Sequence, residues 1–124
     1  MLTRPHKLWL CTEATDMRKS YDSLAALVRY QLGADPLSGH GFIFINRRCN
    51  QLKMLYFDGD GYCVWSKRLE QGRFSFAKNH AGKVKLISNT QFAALLEGIE
   101  LEIKKRQKRW QKHLNNSSSM AEYG

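Results

Sequence analysis

Between Gly41 and Phe76 the chain reads GFIFINRRCNQLKMLYFDGDGYCVWSKRLEQGRFSF, strand-length apolar segments separated by turn chemistry. No other run limits the possible folds so strongly. Phe42 to Ile45 is apolar without interruption, the pattern of a strand buried on both faces. Asn46-Arg47-Arg48-Cys49-Asn50 breaks it. Leu52 to Phe57 predicts the next strand, and Asp58-Gly59-Asp60-Gly61 turns the chain, because Asp-Gly between apolar runs tolerates positive φ. Tyr62 to Leu69 returns as its partner, with Cys63, Trp65 and Lys67 on one face and Tyr62, Val64 and Ser66 on the other. After Glu70-Gln71-Gly72, Arg73 to Phe76 reads as a further short strand. The sum is an antiparallel meander.

The flanks add helices. His6 to Cys11 predicts a first strand. Thr15-Asp16 offers an N-cap to a helix over Asp16 to Leu32, where Tyr21, Leu24, Leu27, Val28 and Leu32 keep helical spacing and Gly33 serves as the stop. Val84 to Ile87 predicts an edge strand. Ser88-x-x-Gln91 is a capping box ahead of Phe92, Leu95, Leu96 and Ile99, with Gly98 a weak point. Glu100 to Leu114 continues as a basic helix, and 115–124 reads as a disordered end. The expected fold is a single α+β domain over 1–101: an antiparallel β-meander sheet, two helices packed on one face, and a basic, partly helical extension over 102–124.

At 124 residues and 43% apolar content, the chain can build a core without disulfides or metal. Three cysteines, an odd number, imply no disulfide framework. No apolar stretch approaches the ~20 residues that span a bilayer, and the N-terminal apolar stretch is too short for a signal peptide. A cytoplasmic location is expected. The net charge of +9 is unevenly spread: +1 over 1–40, +6 over 41–86 and +2 over 87–124, where all six basic residues fall between Lys104 and Lys112. A localised excess of this kind is the footprint of a polyanion partner, most often nucleic acid.

Arg47 and Arg48 at one turn, and Lys67, Arg68 and Arg73 around another, are candidates for phosphate contact, together with Lys53. The meander is expected to project the two groups from opposite ends of the sheet. Tyr56, Phe57, Tyr62 and Trp65 read better as core or cross-strand pairs than as base-stacking platforms. Asp58 and Asp60 resemble a Mg²⁺-binding pair, but their turn already demands Asp and Gly, and no third carboxylate is placed by sequence. The cysteines and histidines lack zinc spacing, and Gly39-x-Gly41 and Gly59-x-Gly61 precede strands rather than helices. No metal, cofactor or catalytic residue is expected, and no enzyme.

Thr15-Asp16-Met17-Arg18-Lys19, Tyr21-Asp22-x-Leu24, Asp35-Pro36-x-Ser38-Gly39, Phe42-x-Phe44-x-Asn46-Arg47-Arg48, Lys53-x-Leu55-Tyr56-x-Asp58-Gly59-Asp60-Gly61, Trp65-x-Lys67-Arg68-Leu69-Glu70-x-Gly72-Arg73-Phe74 and Leu95-Leu96-Glu97-Gly98-Ile99 together resemble one family over Leu8 to Leu101. This is the Orf2-like proteins of bacterial insertion sequences of the IS66 type. The resemblance implies an accessory protein made alongside a separate, larger transposase and needed for transposition in at least some members. Cys49 and Asn50 depart from positions often charged in relatives. The expected role is a non-catalytic DNA-binding factor whose partners are DNA and the transposase. The alternatives are an adaptor that touches only the transposase, or a small metal nuclease using Asp58 and Asp60.

Overall fold

The computed structural model describes residues 5–75 and 82–98. Five strands and two helices follow in the order β1 (Leu8–Cys11), α1 (Tyr21–Ala26) running into a π-helical turn (Leu27–Gln31), β2 (Gly41–Ile45), β3 (Gln51–Phe57), β4 (Tyr62–Arg68), β5 (Val84–Ile87) and α2 (Asn89–Leu96). The strands form one sheet in the order β4-β3-β2-β1-β5. The fold is α+β with a mixed sheet.

The expected meander is present across β2, β3 and β4, with Phe42 opposite Leu55 and Met54 opposite Trp65. What overturns a wholly antiparallel sheet is β1. It pairs parallel to β2, Trp9 beside Phe42, and antiparallel to β5, Cys11 beside Val84. The parallel pairing follows from the connection: α1 carries the chain back along one face, so β2 starts at the same end as β1.

The helices lie on opposite faces, not on one as expected. Alternation along each strand decides this. Trp9, Cys11, Phe42, Phe44, Leu55, Tyr62 and Val64 share a face with Leu24, Ala25 and Val28 of the first helical segment. Leu8, Leu10, Ile43, Ile45, Leu52, Met54 and Tyr56 share the other with Phe92, Leu95 and Leu96 of α2. β2 is buried at all five positions because both layers cover it.

α1 starts later than its periodicity suggests. Asp16 does not cap a helix; its carboxylate turns back onto the Arg18 N–H at 2.9 Å. The carbonyls of Met17 and Lys19 point at the Lys53 ammonium, 2.9 and 2.7 Å away, instead of into a helical ladder. Helix begins after Ser20, whose N–H donates to Ser23 Oγ at 2.9 Å. At the far end Leu32 N–H reaches back five residues to Leu27 O, and Gly33 at φ +67° supplies the expected stop.

The other helix begins as its capping box requires: Gln91 N–H donates to Ser88 Oγ at 3.0 Å and Ser88 N–H to Gln91 Oε1 at 2.8 Å. Gly98, at φ +72°, sits just past its end. Asp58 N–H donates to Gly61 O at 2.8 Å, closing the predicted hairpin turn, and Phe57 meets Tyr62 edge-to-face. The predicted strand at Arg73 to Phe76 does not form over Arg73–Ser75; Phe74 is instead buried against the α2-side core. Phe76, the continuation over Glu100 to Leu114 and the end at 115–124 lie outside the described residues.

Candidate nucleic-acid interface

The strand register places most of the candidate cations on one rim of the sheet. Asn46 to Asn50 joins β2 to β3 there, and Arg68 lies opposite Gln51 at the first position of β3. Leu69 N–H donates to Asn50 O and Phe74 N–H to Cys49 O, at 2.8 and 2.7 Å. The Arg47-Arg48 turn and the Arg68–Arg73 segment are therefore neighbours, which corrects the expectation of opposite ends. In a meander, alternate turns fall on the same side; the acidic hairpin between β3 and β4 is the one that lies opposite.

Arg47, Arg48, Arg68 and Arg73 are all exposed, and among the described residues Arg68 makes a long 3.4 Å ion pair with Glu70. The two lysine candidates are placed differently. Lys53 is partly buried, holding Met17 O and Lys19 O, and Lys67 donates to Leu96 O at 2.7 Å, where it satisfies a carbonyl at the end of α2. These ammonium groups hold a loop and a helix end in place on opposite faces of the sheet.

The arginine turn is rigidly built. Asn46 Oδ1 accepts the N–H groups of Asn50 and Gln51, both at 3.0 Å, and its Nδ2 donates to Asn50 Oδ1 at 2.7 Å. Cys49 is buried and adopts φ +60°, a left-handed conformation that costs a non-glycine residue about 1–2 kcal/mol. Its carbonyl is the acceptor for Phe74, so the strained turn is also the anchor of the following segment.

Facing that turn is the loop after β1. Thr15 N–H donates to Ile45 O at 2.9 Å and Thr12 N–H to Lys83 O at 3.0 Å, stitching the loop to β2 and to the chain just ahead of β5. Thr15 is buried, and the nearby Cys11 thiol donates to Glu13 O at 3.5 Å. Burial pushes that thiol's pKa up, the reverse of what an activated nucleophile needs. Asp16 and Arg18 form a fork at the surface, with Arg18 Nη2 2.6 Å from Asp16 Oδ2. Hydrogen bonds from Arg18 hold the Asp16 carboxyl down at about 2.

Ala14, Thr15, Asp16 and Met17 from this loop, with Asn46, Arg47 and Arg48 from the turn, line an open cleft of about 510 Å³. It lies outside the carboxyl ends of the two parallel strands, the position at which open sheets with a crossover helix place ligands. The Ala14–Met17 side of this cleft has no signature in charge or periodicity. Its signal in the sequence was the motif Thr15-Asp16-Met17-Arg18-Lys19. Asp58 and Asp60 lie at the other rim. Among the described residues, no three of His, Cys, Asp and Glu cluster in a way that could hold a metal ion, and no helix is long and apolar enough to cross a membrane.

The chain belongs to the IS66 Orf2-like protein family, whose profile matches residues 6–106. Two proteins of Sinorhizobium fredii are similar to it. Uncharacterized protein y4hO is 39% identical over 94 residues, covering 76% of this chain and 81% of the relative. Uncharacterized protein y4jC is 34% identical over 98 residues, covering 79% and 83%. No solved structure matches.

Proposed function

We propose that this protein is a non-catalytic DNA-binding factor that serves transposition of its insertion sequence alongside a separate transposase. The observation that carries the proposal is the gathering of Arg47, Arg48, Arg68 and Arg73, exposed, on one rim. Guanidinium groups suit phosphate because they stay charged and present a planar fork of donors. Such contacts position a protein on DNA without reading its sequence.

Family membership supplies the biological setting, and the rim supplies the chemistry. Binding of the full chain to duplex DNA from the element ends and to unrelated duplex, followed by fluorescence anisotropy across a salt series, tests the reading. Four phosphate contacts give a slope of log K against log salt near −3.6, at about 0.9 per contact. Failure to bind any duplex at low salt, with retention on the transposase, would replace this function with that of an adaptor.

A further inference from the structure

The cleft between Thr15–Met17 and Asn46–Arg48 has a shape and a charge pattern that duplex binding does not require. A regular duplex presents its phosphates on a convex surface, which arginines on any exposed rim can reach. An open cleft of about 510 Å³ instead falls in the volume range of small-ligand sites. A nucleotide out of the stack is of a size to sit in it.

The lining is divided by charge. Arg47 and Arg48 stand on one side and Asp16 on the other, with Ala14 and Met17 adding apolar surface. Asp16 accepts from three donor groups of Arg18: the main-chain N–H, Nε and Nη2. These make two contacts on each carboxylate oxygen, about its full acceptor capacity, and the one a ligand N–H can displace is an arm of the Arg18 Nε bond, which is shared between both oxygens at 3.1 Å. Phosphate is favoured on the Arg47–Arg48 side, whereas the Asp16 side carries a carboxylate whose charge is balanced by Arg18. A nucleotide supplies both complements, an anionic phosphate and a base whose Watson–Crick edge carries N–H donors. Pairing occupies those donors in a duplex and leaves them free on an unpaired base. Both sides of the cleft are pinned by hydrogen bonds within the protein, so little ordering has to accompany binding.

The geometry points to this cleft as the seat of one unpaired deoxynucleotide at a DNA end, its phosphate on Arg47 and Arg48 and a base N–H on Asp16. This inference rests on the DNA-binding reading above and specifies the DNA structure that the same site takes. A free deoxynucleoside monophosphate carries the same groups, so the experiment must separate the two sources.

Anisotropy is measured on the full chain with three probes of one sequence, labelled away from the tested end: a blunt duplex, the same duplex with a short 3′ overhang, and with a short 5′ overhang. Free dGMP and dTMP serve as competitors. One overhang is expected to bind about tenfold more tightly than the blunt duplex at matched salt. Ala14→Trp, which fills the cleft from an exposed position, brings that ratio close to one. So does Asp16→Asn, which keeps an oxygen to accept the Arg18 N–H. Thermal melts establish that each variant is folded. Equal affinity for all three probes with a steep salt slope overturns the unpaired-nucleotide seat and leaves the duplex-binding reading standing. Absence of binding to every probe overturns both. Tight competition by a free mononucleotide without any overhang preference assigns the cleft to that nucleotide and overturns the DNA end.

Discussion

The two rims of the sheet are built on different terms. At the hairpin rim, four residues between Phe57 and Tyr62 reverse the chain, and Asp58, Gly59, Asp60 and Gly61 are the residue types such a turn needs. His6, His40 and Trp9 lie at the same end, with Trp9 Nε1 donating to His40 Nδ1 at 3.1 Å. At the arginine rim the turns are irregular, and polar side chains hold them: Asn46 organises its own turn, Lys53 draws in the loop after β1 from β3, and Lys67 of β4 meets the end of α2. A tight turn is specified by its own residues. An irregular one that presents charge needs polar side chains committed to holding it, and those side chains are lost to other tasks. The rims differ in pH response as well, since arginine stays charged across the accessible range whereas histidine does not.

The comparison can be broken or sharpened by substitution. Asn46→Ala removes the acceptor for two N–H groups and a side-chain partner, and is expected to cost about 3 kcal/mol in urea melts; a loss near zero would mean that the arginine turn holds itself. Lys53→Met leaves the carbonyls of Met17 and Lys19 without their charged donor and should cost about 2 kcal/mol by the same measurement. Arg47→Ala with Arg48→Ala should lower duplex affinity about tenfold and flatten the salt slope by about 1.8. Asp58→Asn with Asp60→Asn should leave affinity unchanged or slightly higher. Equal losses from both pairs would erase the distinction between the rims.

On the hairpin side, Gly59 has φ +75° with open space around it, so Gly59→Ala should cost about 1 kcal/mol from backbone conformation alone, read as a shift in the urea midpoint. The smallest effect concerns His40. Burial, then the charges of Lys7 and His6, lower its pKa below the ordinary 6.5. The unfolded chain therefore binds the proton more readily, and the stabilisation is complete above about pH 6.5 and lost as pH falls through the folded value. Urea midpoints should decline modestly from pH 7.5 to 5, and His40→Gln should flatten that decline.

Local chemistry was legible in the sequence wherever neighbours in the chain decide the outcome. The Asp58–Gly61 turn, the Ser88 and Gln91 capping box, the stop at Gly33 and the alternation of Tyr62 to Lys67 all required only adjacent residues. The placement of β1 was hidden because its partners Phe42 and Leu86 are distant in sequence, and four apolar residues say nothing about parallel or antiparallel pairing. The faces of the helices were hidden for the same reason: a fully apolar β2 shows that both sides are covered but not by which helix. In the candidate site, the arginines were visible as charge. The roles of Lys53 and Lys67 were not, because a lysine that holds a carbonyl and one that faces solvent read alike in a sequence.

The first strand is made earliest and finished last. While the nascent chain leaves the ribosome, β1 can pair with β2 as soon as α1 has carried the chain across. Its other edge stays bare until Val84 to Ile87 has been synthesised, because Cys11 pairs with Val84 and Leu8 with Ile87. During that interval Trp9 and its neighbours form an open strand edge, the kind of surface that recruits other chains. A truncation ahead of Val84 would make this state permanent, so products ending there should associate with one another or be degraded, even though every residue of the arginine turn and the cleft beside it is present.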